Sequence, residues 1–456
     1  MRTLALSVLA AIALLLPAVS AEAVPREPLG HVGRWITDSR GRVVMLHGVA
    51  VVPARASFTP ESLGFGRDDA RFLRVQGFNV VRLGLFSEAW EKQPGAYDTE
   101  YLAAYLRTHR LLSGAGIFSV VDFHQDMLSA RFQGRGFADW FIRDDGLPNQ
   151  PQAGFPGNYF ANAALNRAYD NLWANAAAPD GTGLQTRFSE SWRRVAAAFA
   201  KRKRVAGYDI FNEPWPGSRW PSCANPEGCP PGGFDQTDLT AFSNRVVAGI
   251  RRADPVHLVF YEPNLQFDVG AATRHGRADD PNVGMSFHNY CLGAAPGLPH
   301  APDPAGLCRD VGERGVFENA EQHSAETDAA LLMTEFGDTE DAGIHERMTD
   351  LADEFMVGWT QWAYIGSAGG QLIRDPAKPP TGDNIGQEVL AALVRPYPQV
   401  VAGTPQRFAF DREDRRFTLV FATRLPAGRP ARGRRSEVFV SRLHYGRRYR
   451  VVLARA

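Results

Sequence analysis

Short runs of consecutive apolar residues alternate along this chain with longer stretches in which apolar positions recur every three or four residues. The first pattern reads as strands buried on both faces, the second as helices that cover them. Gly33–Gly48 predicts a hairpin with a polar turn that leads into the first core strand. Strand-like runs follow at Asn79–Phe86, Ile117–Phe123, Val205–Asn212, His257–Tyr261, Val283–His288, Leu331–Glu335 and Gly358–Tyr364. Helical periodicity marks Tyr101–Gly114, Ser189–Arg204, Leu239–Ala253, Phe317–Ala330 and Ile344–Phe355. Strands separated mostly by helices predict an α/β fold whose parallel sheet closes on itself, a (β/α)8 TIM barrel. An open doubly wound sheet is the alternative, but no Gly-rich phosphate loop follows any strand.

Near Asp375 the pattern changes. Pro376, Pro379 and Pro380 form a linker-like break, a short helix is predicted around Glu388–Val394, and short β-rich runs follow. These are Arg407–Asp411, Arg416–Ala422, Glu437–Ser441 and Arg448–Leu453, which together predict a small C-terminal β-sandwich. The chain of 456 residues is long enough for both parts. The expected division is a signal peptide over 1–23, the barrel over 24–375, and linker plus β-sandwich over 376–456.

The signal peptide rests on Arg2, the apolar run Leu4–Leu16 and the small residues around Ala21 and Ala23. That run is short for a membrane span, so the expectation is a secreted, extracellular protein. Four cysteines agree with an oxidising compartment. They allow three connectivities, of which Cys223–Cys229 with Cys291–Cys308 is the simplest; a zinc site would need converging ligands without any CxxC spacing. Lys plus Arg and Asp plus Glu number 50 each, so net charge offers no case for a nucleic-acid partner. The arginines of the C-terminal part, Arg432, Arg434 and Arg435 among them, fit a solvated loop or contact with an anionic lipid surface.

The chemistry sits where strands end. Gly207-Tyr208-Asp209-Ile210-Phe211-Asn212-Glu213-Pro214 is a buried strand that runs into an Asn-Glu pair and is stopped by proline. Leu331–Gly337 repeats the design with Glu335. Two strand-end glutamates far apart in sequence, brought over one cleft by a barrel, are what cleavage of a glycosidic bond requires. His124, Asp126, His288, Tyr290 and Trp362 also fall at carboxyl ends of predicted strands, and Arg82 lies within the second. Each has a bland reading alone, as an ion-pair partner, a core histidine or a packing residue. No metal, no cofactor and no obligate protein partner is called for.

These residues resemble glycoside hydrolase family 5, over roughly residues 33 to 365. The motifs are Arg82, Asn212-Glu213-Pro214, His288-x-Tyr290, Glu335 and Trp362. Within it, His124-Gln125-Asp126, Asp145-Gly146-Leu147-Pro148, Asp170-Asn171-Leu172-Trp173 and Arg395-Pro396-Tyr397-Pro398 look most like the endoglycoceramidases, which release an oligosaccharide from the ceramide of a glycosphingolipid. The resemblance implies a retaining mechanism with Glu335 as nucleophile and Glu213 as acid/base. Arg82 and Tyr290 would aim Glu335. Asn212, His124, Asp126, His288 and Trp362 would bind the sugar. The partner is then a glycolipid or oligosaccharide. A β-glucanase or mannanase on soluble polysaccharide is the nearest rival, and a catalytically silent carbohydrate- or lipid-binding barrel the more distant one. Where many relatives carry Asn and then Lys after His-Gly, this chain has Val49-Ala50, with Arg55 the nearest cation. The stretch from Met127 to Arg187, rich in aromatics, is expected to be a long loop forming a lipid groove.

Overall fold

The computed structural model describes residues 25–55, 57–290, 312–366 and 370–454. The expected signal peptide and the Cys291–Cys308 pair lie outside them.

Eight strands form the barrel: β1 His47–Val51, β2 Val80–Leu85, β3 Phe118–Phe123, β4 Val205–Asp209, β5 Leu258–Tyr261, β6 Val283–Asn289, β7 Ala330–Phe336 and β8 Gly358–Ile365. They pair in sequence order, all parallel, and β8 closes on β1. The near-continuous burial of these strands follows from having side chains on one face inside the barrel and on the other against helices. Leu46, Val80, Val120, Leu258, Phe260 and Leu332 fill the lower interior, whereas Val81, Leu83, Val121 and Val259 pack outward. The covering helices include Arg67–Gln76, Thr99–Gly114, Leu184–Phe199, Thr240–Arg251, Glu313–Thr327 and Ala342–Glu354. Arg67–Gln76 escapes the periodicity reading; Gly77 closes it at φ 92°, a left-handed position that favours glycine.

Alternation also decides which residues reach the cleft. Above Val80 the next inward position on β2 is Arg82, above Val120 on β3 it is Asp122, and above Phe260 comes Glu262. On β7 the register slips: Phe287 pairs with Met333 but His288 pairs with Glu335. The extra residue, Thr334, turns Glu335 to the inner face beside His288.

The N-terminal strands Gly30–Val32, Trp35–Thr37 and Val43–Val44 join Tyr397–Val401 and Glu437–Phe439 in one five-stranded sheet. Tyr397 stacks on His47 at the start of β1, at 3.8 Å between centroids, so this sheet lies at the end of the barrel away from the strand carboxyl ends. A second antiparallel pair, Thr404–Asp411 with Arg416–Ala422, completes the C-terminal sheets. Arg448–Leu453, expected as a strand, is irregular, with Tyr449 and Val451–Leu453 exposed. No described sheet edge takes it, and its arginines favour water over a ladder.

The Met127–Arg187 stretch corrects another expectation. It carries helices Gly157–Ala161 and Ala163–Trp173, and Leu184–Phe199 begins inside it. Its rings Phe132, Phe137, Phe141, Tyr159 and Trp173 are buried, with Phe137 stacked on Phe141 at 4.0 Å. They fasten the segment to the barrel, whereas Phe160 in the same stretch is exposed, at 48 %. Among the described residues no helix is long and apolar enough to cross a membrane.

Candidate active site

Arg82 is fully buried at the centre of the upper barrel and its guanidinium spends every nitrogen. Nε donates to Asp209 at 2.9 Å, Nη2 to Asn212 and Glu262 at 2.9 Å each, and Nη1 to Glu335. Asp122 lies 3.2 Å from Nη2. A buried cation among carboxylates is stable only because the partners compensate its lost hydration. Arg82 therefore fixes the Glu335 carboxylate, whose second oxygen accepts from the Tyr290 hydroxyl at 3.1 Å.

Glu213 sits on the turn after β4 with φ 45°, a left-handed conformation unusual for a non-glycine residue. Its backbone is gripped at both ends. The N–H donates to Glu262 at 2.7 Å, and the carbonyl accepts from the Gln125 amide at 3.2 Å. Its Oε1 meets His288 Nδ1 at 3.0 Å. The same nitrogen lies 3.5 Å from Oε2 of Glu335. The two glutamate oxygens therefore cannot be farther apart than the sum of those legs. That limit falls at the lower edge of the wide carboxyl spacing of inverting glycosidases, about 6.5–9.5 Å, and admits the close spacing of retaining ones, about 5–5.5 Å.

Burial pushes the Glu213 carboxyl up to about 8, more than the hydrogen bond and charge of His288 pull it down. Burial alone would lower His288; Glu262, Glu335 and the contact with Glu213 outweigh it and hold the imidazole well above its usual value. His124 goes the other way, to about 4, because burial outweighs Asp126 and Glu335. It is thus neutral near pH 7, its Nδ1 3.0 Å from Asp122 and its ring stacked on Trp362 at 5.1 Å. His124 Nε2 is buried with no hydrogen-bond partner, 3.7 Å from Asp126. Asp126 is held by Arg135 at 3.1 Å. The Asn212 amide donates to the Gln125 carbonyl at 3.0 Å. The predicted residues Arg82, His124, Asp126, Asn212, Glu213, His288, Tyr290, Glu335 and Trp362 thus converge on one cleft through linked contacts. Arg55 is exposed on the loop after β1.

Four buried acids were missed as site residues: Asp122, Asp209, Glu262 and Asp268. Asp209 also accepts from Ser286 Oγ at 2.7 Å, and Asp268 lies 3.9 Å from His288. Burial drives Asp122 and Asp268 well above the usual carboxyl range and Glu262 to about 8. Glu262 had a readable signal: Tyr261-Glu262-Pro263 repeats the strand-Glu-Pro design of Phe211-Asn212-Glu213-Pro214. Donor atoms of Glu213, Asp268 and His288 lie within 4.8 Å of one another, close enough for a cation, but proton transfer between such groups needs none.

Past Glu213-Pro214 aromatic residues cluster. Trp215 is buried, stacks on Trp220 at 5.9 Å, and meets the edge of Phe160, which also touches Trp220 at 5.2 Å. The disulfide Cys223–Cys229 closes the following loop.

Comparison with known proteins agrees with this geometry. Residues 58–367 match the cellulase model of glycosyl hydrolase family 5, and 395–456 match the family's C-terminal domain. Endoglycoceramidase I of Rhodococcus hoagii is 32% identical over 440 residues, covering 94% of this chain and 83% of that protein. Endoglycoceramidase of Hydra vulgaris is 27% identical, covering 91% of this chain and 81% of its own length. The solved endo-glycoceramidase II from Rhodococcus sp. superposes with a TM-score of 0.73 at 25% identity, covering 90% of each chain. A buried Arg82–Glu335 pair beside Glu213, in a barrel matched over 58–367, places the chain in glycoside hydrolase family 5.

Proposed function

We propose that this protein is a retaining endoglycosidase that cleaves the β-glycosidic bond between an oligosaccharide and ceramide in glycosphingolipids. The observation that carries the chemistry is the pair of unlike glutamates on one His288 nitrogen: Glu335 held by Arg82 and Tyr290, Glu213 buried and raised to about 8. Glu335 attacks the anomeric carbon while Glu213 gives its proton to the departing ceramide oxygen. Glu213, now a carboxylate, then deprotonates the water that releases the sugar from Glu335. The raised Glu213 carboxyl and the arginine-held Glu335 support this division of roles. Asn212, Asp126, and the free Nε2 of His124 are placed for sugar hydroxyls, and Trp362 for the ring face.

The substrate class is supported by the endoglycoceramidase relatives and by the half-buried Trp220 and exposed Phe160, which pack on each other past the proton donor. That side receives the leaving group, and apolar rings suit a lipid. Export through the N-terminal segment 1–23 accords with the Cys223–Cys229 disulfide. The polysaccharide reading draws on the cellulase model that spans the barrel, and stands as the alternative.

Product stereochemistry tests the assignment. With azide, Glu213→Ala acting on an aryl glycoside should give a glycosyl azide of retained configuration, and Glu335→Ala an inverted one or none. The reverse pattern would exchange the two roles.

A further inference from the structure

Glu262 is a buried carboxyl that nothing above assigns a task, and it contacts groups belonging to both catalytic glutamates. It follows β5 directly, is 3 % exposed, and is flanked by Pro263. Oε2 accepts from the backbone N–H of Glu213 at 2.7 Å, while Oε1 accepts from Arg82 at 2.9 Å and lies 3.4 Å from His288 Nε2.

These contacts are not equally replaceable. Arg82 keeps Asp122, Asp209, Asn212 and Glu335 if Glu262 is lost. The Glu213 N–H has Glu262 as its acceptor, and Glu213 is the residue held at φ 45°. A non-glycine residue keeps such a conformation only when its surroundings over-determine it. The turn is fastened from the same loop a second time, where Leu265 N–H donates to the Pro214 carbonyl at 2.9 Å. The loop after β5 thus grips the turn after β4 on both sides of the Glu213–Pro214 peptide.

We propose that Glu262 is a positioning residue for proton transfer: its carboxyl oxygens, one on the Glu213 N–H and one on Arg82, anchor the left-handed turn at Glu213 and so aim the Glu213 carboxyl at the glycosidic oxygen. Its three polar neighbours are the N–H groups of Arg82 and Glu213 and the ring of His288, a setting built for an acceptor. An amide in its place would turn one NH2 toward a donor.

The proposal rests on Glu213 as the acid/base residue, and the test separates the two. Wild type, Glu262→Gln, Glu262→Asp and Glu213→Ala are each assayed on a glycolipid and on a dinitrophenyl glycoside of the same sugar. The folded fraction is checked by circular dichroism. Removing proton assistance from a poor leaving group costs about 10²–10⁴-fold, so Glu262→Gln should lose about 10²-fold in kcat/KM on the glycolipid and only a few-fold on the aryl glycoside. Azide should raise its aryl-glycoside kcat, because the water-activation step fails in the same variant. If Glu262→Gln does not fold, Glu262→Asp, whose shorter side chain draws the carboxyl back from the Glu213 N–H, should show the same split. Equal losses on both substrates in the folded variant, or none, would overturn the proposal. If Glu213→Ala itself shows no split, the acid/base assignment fails instead.

Discussion

The raised Glu213 carboxyl makes the pH dependence of cleavage a direct reading of the site. A carboxyl at about 8 is about 90 % protonated at pH 7, whereas one at 4.5 is about 0.3 % protonated, a difference of about 300-fold in competent acid. The sign is unambiguous: the acid form is present below the raised value and is lost above it. On a glycolipid, kcat/KM should therefore hold from about pH 6 to 7.5 and fall about tenfold per unit above about 8. A glycoside with an acidic phenol needs no proton and should lack that alkaline limb. Replacing His288 with Gln sharpens the test. Its hydrogen bond and charge both lower the Glu213 value against the effect of burial, so without them the alkaline limb should move upward even as the maximum rate falls. Initial rates well below KM between about pH 5 and 10, with circular dichroism at each pH to exclude unfolding, give the profile. A glycolipid limb near 4–5, or the same alkaline limb on both substrates, would refute the reasoning.

Arg82→Met should cost about 3–5 kcal/mol by urea unfolding, because Asp122, Asp209, Glu262 and Glu335 would face one another without their cation. It should also abolish turnover. Phe137→Ala should lower stability by about 3–5 kcal/mol and affect all substrates alike, since Phe137 is core. Phe160→Ala, at an exposed ring, should leave stability nearly unchanged and raise KM only for long-chain glycolipids. A non-reduced peptide map should recover Cys223 linked to Cys229; opening that six-residue separation should cost about 2 kcal/mol of thermal stability.

Much of this site is legible in the sequence. Buried strands terminating in Asn212-Glu213-Pro214 and in Glu335 mark the two carboxyls because an apolar run must end where the barrel opens. Tyr290 follows from the same logic of strand ends, and Arg82 from a charge inside an otherwise apolar strand. What alternation alone could not reveal is the slip at Thr334 that turns Glu335 inward, since a bulge depends on the partner strand and not on local pattern. Asp122 and Asp209 were hidden inside apolar runs, where a carboxyl becomes tolerable only once Arg82 arrives from β2. Asp268 carries no local signal, as its role depends on His288 reaching it from β6. The aromatic Met127–Arg187 stretch misled for a simple reason: composition cannot tell a ring that fastens a loop from one that faces water. Phe137 and Phe160 are alike in sequence and opposite in exposure.

The central claim is tested most directly by product mass. Purified protein is incubated in detergent with a panel of glycosphingolipids and, separately, with soluble β-glucans and mannans. The glycolipids should yield an intact oligosaccharide and a free ceramide, and the polysaccharides little release. Efficient cleavage of a β-glucan or mannan, with no glycosphingolipid consumed, would contradict it.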